Sequence, residues 1–236
     1  MTTSTPSPDN VTEKMQRCID RWDACGDGKA LFLRCYRMMT GNVIAAVQQR
    51  DFNDPEWVDR LLNHFADYYF VSLEVYEANP AGAPAVWQLA HSAANNPNLS
   101  AVQKLLVGVN AHINYDLAFT LVDLLRQEWA GLSDAQRTLR YEDHCRINNV
   151  IAETIDTVQD DILEPAMPVM KLVDDLMGGA DELMISRLIA GWRDNVWQYA
   201  VRMLATDDLQ QLAALAKQVE ADALETGRLI CAQSPA

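Results

Sequence analysis

Basic residues are scarce in this chain: 19 lysines and arginines stand against 33 aspartates and glutamates, a formal net charge of -14. A phosphate backbone or an anionic membrane surface calls for the opposite surplus, so neither nucleic acid nor membrane is the expected partner. Long apolar runs are also missing, and no stretch offers the roughly 18 uninterrupted apolar residues of a membrane span. The first ten residues, MTTSTPSPDN, have no basic segment leading into an apolar one. Residues 1–10 read as a disordered tail rather than a secretory signal, which points to a cytoplasmic protein. The five cysteines (Cys18, Cys25, Cys35, Cys145, Cys231) are odd in number and form no CxxC, as expected of reduced, mostly buried thiols. Cys145 adjoins His144, but consecutive helical side chains point apart, which argues against a cysteine–histidine nucleophile there.

Strand signals are absent as well: there is no sustained period-two alternation, no Asn-Gly hairpin turn and no βαβ rhythm. What the chain has is helix after helix. Val11 to Ala24 is periodic and closes at Gly26 and Gly28; Lys29 to Arg50 follows, with a break expected near Thr40-Gly41. Asp54-Pro55 is a capping aspartate with proline at the first helical position, opening a helix to Ala78. A short helix is expected from Ala83 to Ala94. Ser100 with Gln103 and Ser133 with Gln136 are capping boxes that open the next two, the second regrouping near Tyr141 and ending before Pro165. Ala180 to Ala205 and Asp207 to Cys231 complete the set. At 236 residues and 49% hydrophobic content, the expectation is one all-α domain over residues 11–232, a bundle of about eight or nine helices.

The most informative segment is Leu105 to Gln127, an apolar helix that nevertheless carries Asn110, His112, Asn114, Asp116 and Asp123. Burying such groups costs a few kcal/mol each unless they are paired. Helical spacing puts Gly108, His112, Asp116, Phe119 and Asp123 on one stripe, with Asn110 and Asn114 opposite. Gly108 forfeits helix propensity, so it suggests close approach by a backbone or a ligand at a pocket wall. The chain has only four histidines. His64 shares a face with Trp57, Leu61, Tyr68, Val71 and Val75, His144 shares one with Asn148, Ile151 and Ile155, and both faces read as inward. Arg193 lies in line with Trp197 and Ala200, so a guanidinium points to the core and needs an anion. Asp116 is its expected partner, and His64, His112, Asp116, His144, Asn148 and Arg193 are expected to converge.

The run GVNAHINYDL at Gly108 to Leu117, the upstream FADYYFVSLEVYE, the Asp143…Asn148 pair and RDNVW from Arg193 together resemble the bacterial domain-of-unknown-function family 5995. The resemblance covers most of the chain after about residue 30 and implies a helical domain. It marks His112, Asn114, Asp116, Asn148 and Arg193 as family positions. Three functional classes follow from the residues. One is a metal-free enzyme of isomerase, cyclase or lyase type acting on a small molecule in a polar pocket: Asp116 orients His112 as acid or base, and Arg193 and Asn148 hold an anion. Gly108, Tyr68, Tyr115, Phe119 and Trp197 would wall that pocket. Another is a metal-dependent hydrolase, because HxxxD at His112 to Asp116 is distantly similar to the metal helix of zinc-dependent phospholipase C. A divalent metal, zinc or iron, would then sit on His64, His112, Asp116 and His144. The third is a non-catalytic helical protein whose polar groups only satisfy one another.

Overall fold

The computed structural model describes residues 11–158 and 180–232, so the tail over residues 1–10 and the stop at Pro165 and Pro168 lie outside the described residues, as does the Gly178-Gly179 connection. The described residues are helical, with no strand. Eight helices follow in order: α1 (Val11–Cys25), α2 (Lys29–Gln48), α3 (Pro55–Ala78), α4 (Ala85–Ala94), α5 (Ala101–Arg126), α6 (Asp134–Val158), α7 (Ala180–Leu204) and α8 (Leu209–Ala232).

Local chemistry sets several of these boundaries. The Asp54 carboxylate accepts the Trp57 backbone N–H, and Pro55 opens α3, so the first turn has one satisfied donor and one donor fewer to satisfy. Both capping boxes form: the Ser100 hydroxyl accepts from Gln103 N, the Gln103 side chain accepts from Ser100 N, and Ser133 and Gln136 repeat the exchange. Two expected interruptions are absent. Helix α2 runs through Thr40-Gly41, and α6 runs through Tyr141, because α2 and α6 pack along each other and their contacts outweigh one glycine's propensity.

Helix α5 is the axis of the fold, packed by α2, α3, α4, α7 and α8. By length and composition it is apolar enough to cross a membrane, yet 61% of its most apolar window is buried inside the protein. It is not uniform. Ala111–Asp116 widens into a π-turn, with the Leu117 N–H reaching back to the His112 carbonyl. Such turns are uncommon and concentrate at functional sites. Side-chain bonds brace this one: the Thr120 hydroxyl donates to the Asp116 carbonyl at 2.8 Å, and Asn110 Nδ2 donates to the Ala223 carbonyl of α8 at 2.8 Å. Asn114 Nδ2 donates to Asn110 Oδ1 at 2.8 Å, as their shared face predicts.

Buried apolar side chains form two large clusters. One gathers α1, α2, α3 and α4 around Leu33, Tyr69 and Trp87; the other gathers α5, α6 and α7 around Leu121, Ile147 and Trp197. A further departure concerns α3. The sequence stripe through His64, Tyr68, Val71 and Val75 does not face the core, for Val71 is 59% exposed. The inward row is Trp57, Leu61, Phe65, Tyr69 and Leu73. That i, i+4 ridge is inclined to the helix axis and packs into a neighbouring groove, so the buried line drifts away from the straight stripe.

Candidate functional site

The π-turn of α5 presents His112 and Asp116 inward, both essentially without solvent contact. His112 Nδ1 lies 2.9 Å from Asp116 Oδ2. The indole N–H of Trp87, from α4, donates to both carboxyl oxygens of Asp116, at 3.0 and 3.1 Å. The imidazole stacks face to face on Phe65 of α3, ring centres 3.6 Å apart and planes 7° from parallel. The Tyr36 ring of α2 meets it edge-on at 4.3 Å.

Burial pushes the Asp116 carboxyl well above its usual range, opposed by the Trp87 hydrogen bond, and pushes the His112 imidazole well below its own. Both shifts favour uncharged forms. In the uncharged arrangement that satisfies both groups, Asp116 Oδ2–H donates to His112 Nδ1, Trp87 donates to Oδ1, and the second imidazole nitrogen, Nε2, carries hydrogen. Among the described residues that Nε2 has no partner, and neither do the buried hydroxyls of Tyr36 and Thr40. The Tyr36 hydroxyl sits beside Thr40 in a geometry that falls short of a hydrogen bond. His112, Tyr36 and Thr40 all line one cavity of about 160 Å³. Its remaining walls are overwhelmingly aliphatic, among them Met39, Val43, Leu61, Ile113, Ile151 and Ile189. The expectation of a polar pocket is therefore corrected: the space is apolar, with a few polar atoms in its wall.

Arg193 of α7 lines the same cavity and is 3% exposed. Its partner is not Asp116, as the sequence suggested. Nε donates to Asn148 Oδ1 at 2.7 Å and Nη2 donates to the His144 carbonyl at 2.8 Å, with His144 Nδ1 3.3 Å from the same Nη2. His144 Nε2 lies 3.0 Å from the Arg193 carbonyl and acts as the donor. Burial and the adjacent guanidinium hold His144 well below its usual pKa, so it stays neutral and accepts at Nδ1. Burial also pushes Arg193 down to about 10. The Asp116 oxygens are engaged instead by Trp87 of α4 and His112 of the π-turn.

The six residues expected to converge thus form two separate groups that share a cavity, and one is left out. His64 is partly exposed on α3, 3.4 Å from Asp123, which also accepts from the Tyr68 hydroxyl at 2.6 Å; that trio lies on the surface. The metal set His64, His112, Asp116 and His144 does not assemble, and among the described residues no three His, Cys, Asp or Glu side chains converge as metal ligands. None of Gly108, Tyr68, Tyr115, Phe119 and Trp197 lines the cavity beside His112. A Cβ on Gly108 would stand 2.8 Å from the Phe32 ring, so the glycine admits that aromatic, which is itself a cavity wall. Tyr115 and Phe119 pack on each other, and Trp197 packs on His144. The thiols are free, but only Cys35 is buried and Cys25 is exposed, contrary to the expectation of mostly buried cysteines.

Four contributors escaped the sequence reading: Trp87, Tyr36, Thr40 and Phe65. Tyr36 and Thr40 stand four apart on α2, a spacing that shares a face and marks the only available hint.

Residues 9–233 match the family of unknown function DUF5995. The chain belongs to this family. The segments that carried the resemblance, HINYDL and RDNVW, contribute His112, Asp116 and Arg193, which are buried, while Asp194 and Asn195 of the second lie on the surface. No curated protein and no solved structure matches the chain.

Proposed function

We propose that the cavity binds a small, largely apolar molecule and that His112 exchanges a proton with it. The observation that carries this reading is the unpartnered Nε2 of His112, buried in an apolar wall. A buried donor left unmade costs roughly 1–3 kcal/mol, and the Tyr36 and Thr40 hydroxyls repeat the cost nearby. A ligand with one polar atom removes that penalty. The cavity volume resembles that of an engineered apolar cavity of about 150 Å³ that takes up benzene, so a ligand of one ring or a short chain fits.

The chemistry follows from the pair. As acid, Nε2 gives its proton to the substrate while Asp116 Oδ2 passes its own proton to Nδ1. The imidazole ends neutral, and the new carboxylate is held by the Trp87 and Nδ1 hydrogens. The reverse step makes Nε2 a base. Such a relay suits isomerisation, cyclisation or elimination. Two probes test the reading: benzyl alcohol for binding, followed by thermal unfolding, and cyclohexanone in heavy water for proton exchange beside its carbonyl. Binding with His112-dependent deuterium uptake supports an enzyme. Binding without uptake leaves a non-catalytic carrier, and no binding by either probe removes the site altogether.

A further inference from the structure

Arg193 has five N–H donors, and the acceptors they meet among the described residues are all uncharged: the Asn148 amide oxygen, the His144 carbonyl and the His144 ring. They engage Nε and Nη2, and among the described residues nothing bonds Nη1. No carboxylate pairs with this cation among the described residues, although the chain has an acidic excess. A guanidinium with no carboxylate beside it among the described residues, 3% exposed and set in an aliphatic cavity wall, is costly unless an anion joins it. His144 and Asn148 add no charge. They fix the plane of the guanidinium and leave only its Nη1 end, where a carboxylate oxygen can accept a charge-assisted hydrogen bond.

We propose that the cavity's ligand is an apolar carboxylic acid bound as its anion, with the carboxylate on Nη1 of Arg193 and the hydrocarbon part running along the isoleucine walls toward His112. The proposal rests on the small-molecule reading above and narrows it to one chemical class. Arg193 is then the residue that sets specificity, and Asn148 and His144 position it. The proton-exchanging nitrogen sits on α5 and the anion site on α7, so chemistry falls on the body of the acid and leaves its carboxylate untouched.

The test uses three probes with the same chain: octanoate, octanol and octylamine, each titrated into the full-length protein by calorimetry at neutral pH. Octanoate should bind about tenfold or more tightly than octanol, the advantage of a charge-assisted pair over a neutral one, and octylamine should not bind. Equal binding of octanoate and octanol overturns the anion site while leaving the apolar cavity in place. Failure of all three defeats the small-molecule reading itself. Arg193→Met should reverse the order so that octanol binds better. Because that variant loses the α6–α7 hydrogen bonds, Arg193→Lys serves beside it: it keeps the charge but not the planar fork, and should retain preference for octanoate at reduced affinity. A Lys variant that favours octanol would contradict the assignment.

Discussion

His112 and His144 are both buried, both neutral and both set beside a second ionisable group, yet they differ in what the far ring nitrogen meets. In His144 both nitrogens are engaged, one with the Arg193 carbonyl and one with its guanidinium, so the ring ties α6 to α7. In His112 one nitrogen is held by Asp116 and the other has no partner among the described residues. The difference separates a lock from a site. A structural network closes on itself, whereas a group kept for a ligand is left open at a cost that the rest of the fold must offset.

The largest expected effect comes from breaking the lock. Arg193→Met removes two charge-assisted hydrogen bonds between α6 and α7, each worth roughly 1.5–3 kcal/mol, and should lower stability by about 3–5 kcal/mol in urea unfolding. A loss below about 1 kcal/mol would mean that α6 and α7 hold together without it.

Acidification should act through the buried histidines. The ordinary value of histidine is about 6.5. His91, stacked on Trp87, is pushed down to about 4 by burial, and His112 and His144 are also shifted downward. For a group whose pKa is depressed on folding, stability is fully present above the unfolded value and is lost as pH falls through the folded one. Stability should therefore fall between pH 6.5 and about 4. Asp116, raised by burial, works in the opposite sense. His91 is the clean probe: His91→Phe should flatten the decline by roughly 3 kcal/mol, and an unchanged acid slope would show that His91 is not the source.

A smaller effect concerns the cavity wall. Gly108→Ala drives a methyl group into Phe32 and should cost about 1–3 kcal/mol, measured by thermal unfolding. A neutral result would show that Phe32 can swing away at no cost. The smallest effect has the opposite sign. Thr40→Val removes an unpaired buried hydroxyl at constant shape and should stabilise by about 1 kcal/mol, while the same change at Thr154, whose hydroxyl bonds Asn42 and Val150, should destabilise. If both substitutions destabilise, Thr40 is not the open group it is taken for.

Much of the fold was legible because helix boundaries are written in local chemistry: Asp54-Pro55, Ser100-Gln103 and Ser133-Gln136 each act within one turn. The inward placement of His112, Asp116, His144 and Arg193 was legible too, since charged groups on apolar stripes leave few alternatives. The His112–Asp116 pair was legible from its spacing, but the partner of Arg193 was not. Asp116 had two chemically suitable partners, and the choice of Trp87 over Arg193 depends on which helix packs against which side of α5. The π-turn shifts the phase of that helix in mid-course, so Tyr115 and Phe119 leave the expected wall. His64 was misread because an inclined ridge, rather than a straight stripe, carries α3 into the core. The apolar cavity belongs to residues from five helices, and no local pattern in any one of them announces it.

The contrast between the two histidines is open to one direct measurement. In protein carrying ring-nitrogen-labelled histidine, NMR should show the His112 Nε2 resonance shifting as benzyl alcohol is titrated in, with the His144 resonances unmoved. If His112 stays fixed while His144 responds, or if benzyl alcohol perturbs only the exposed His64, the open nitrogen is not a ligand site and the account fails.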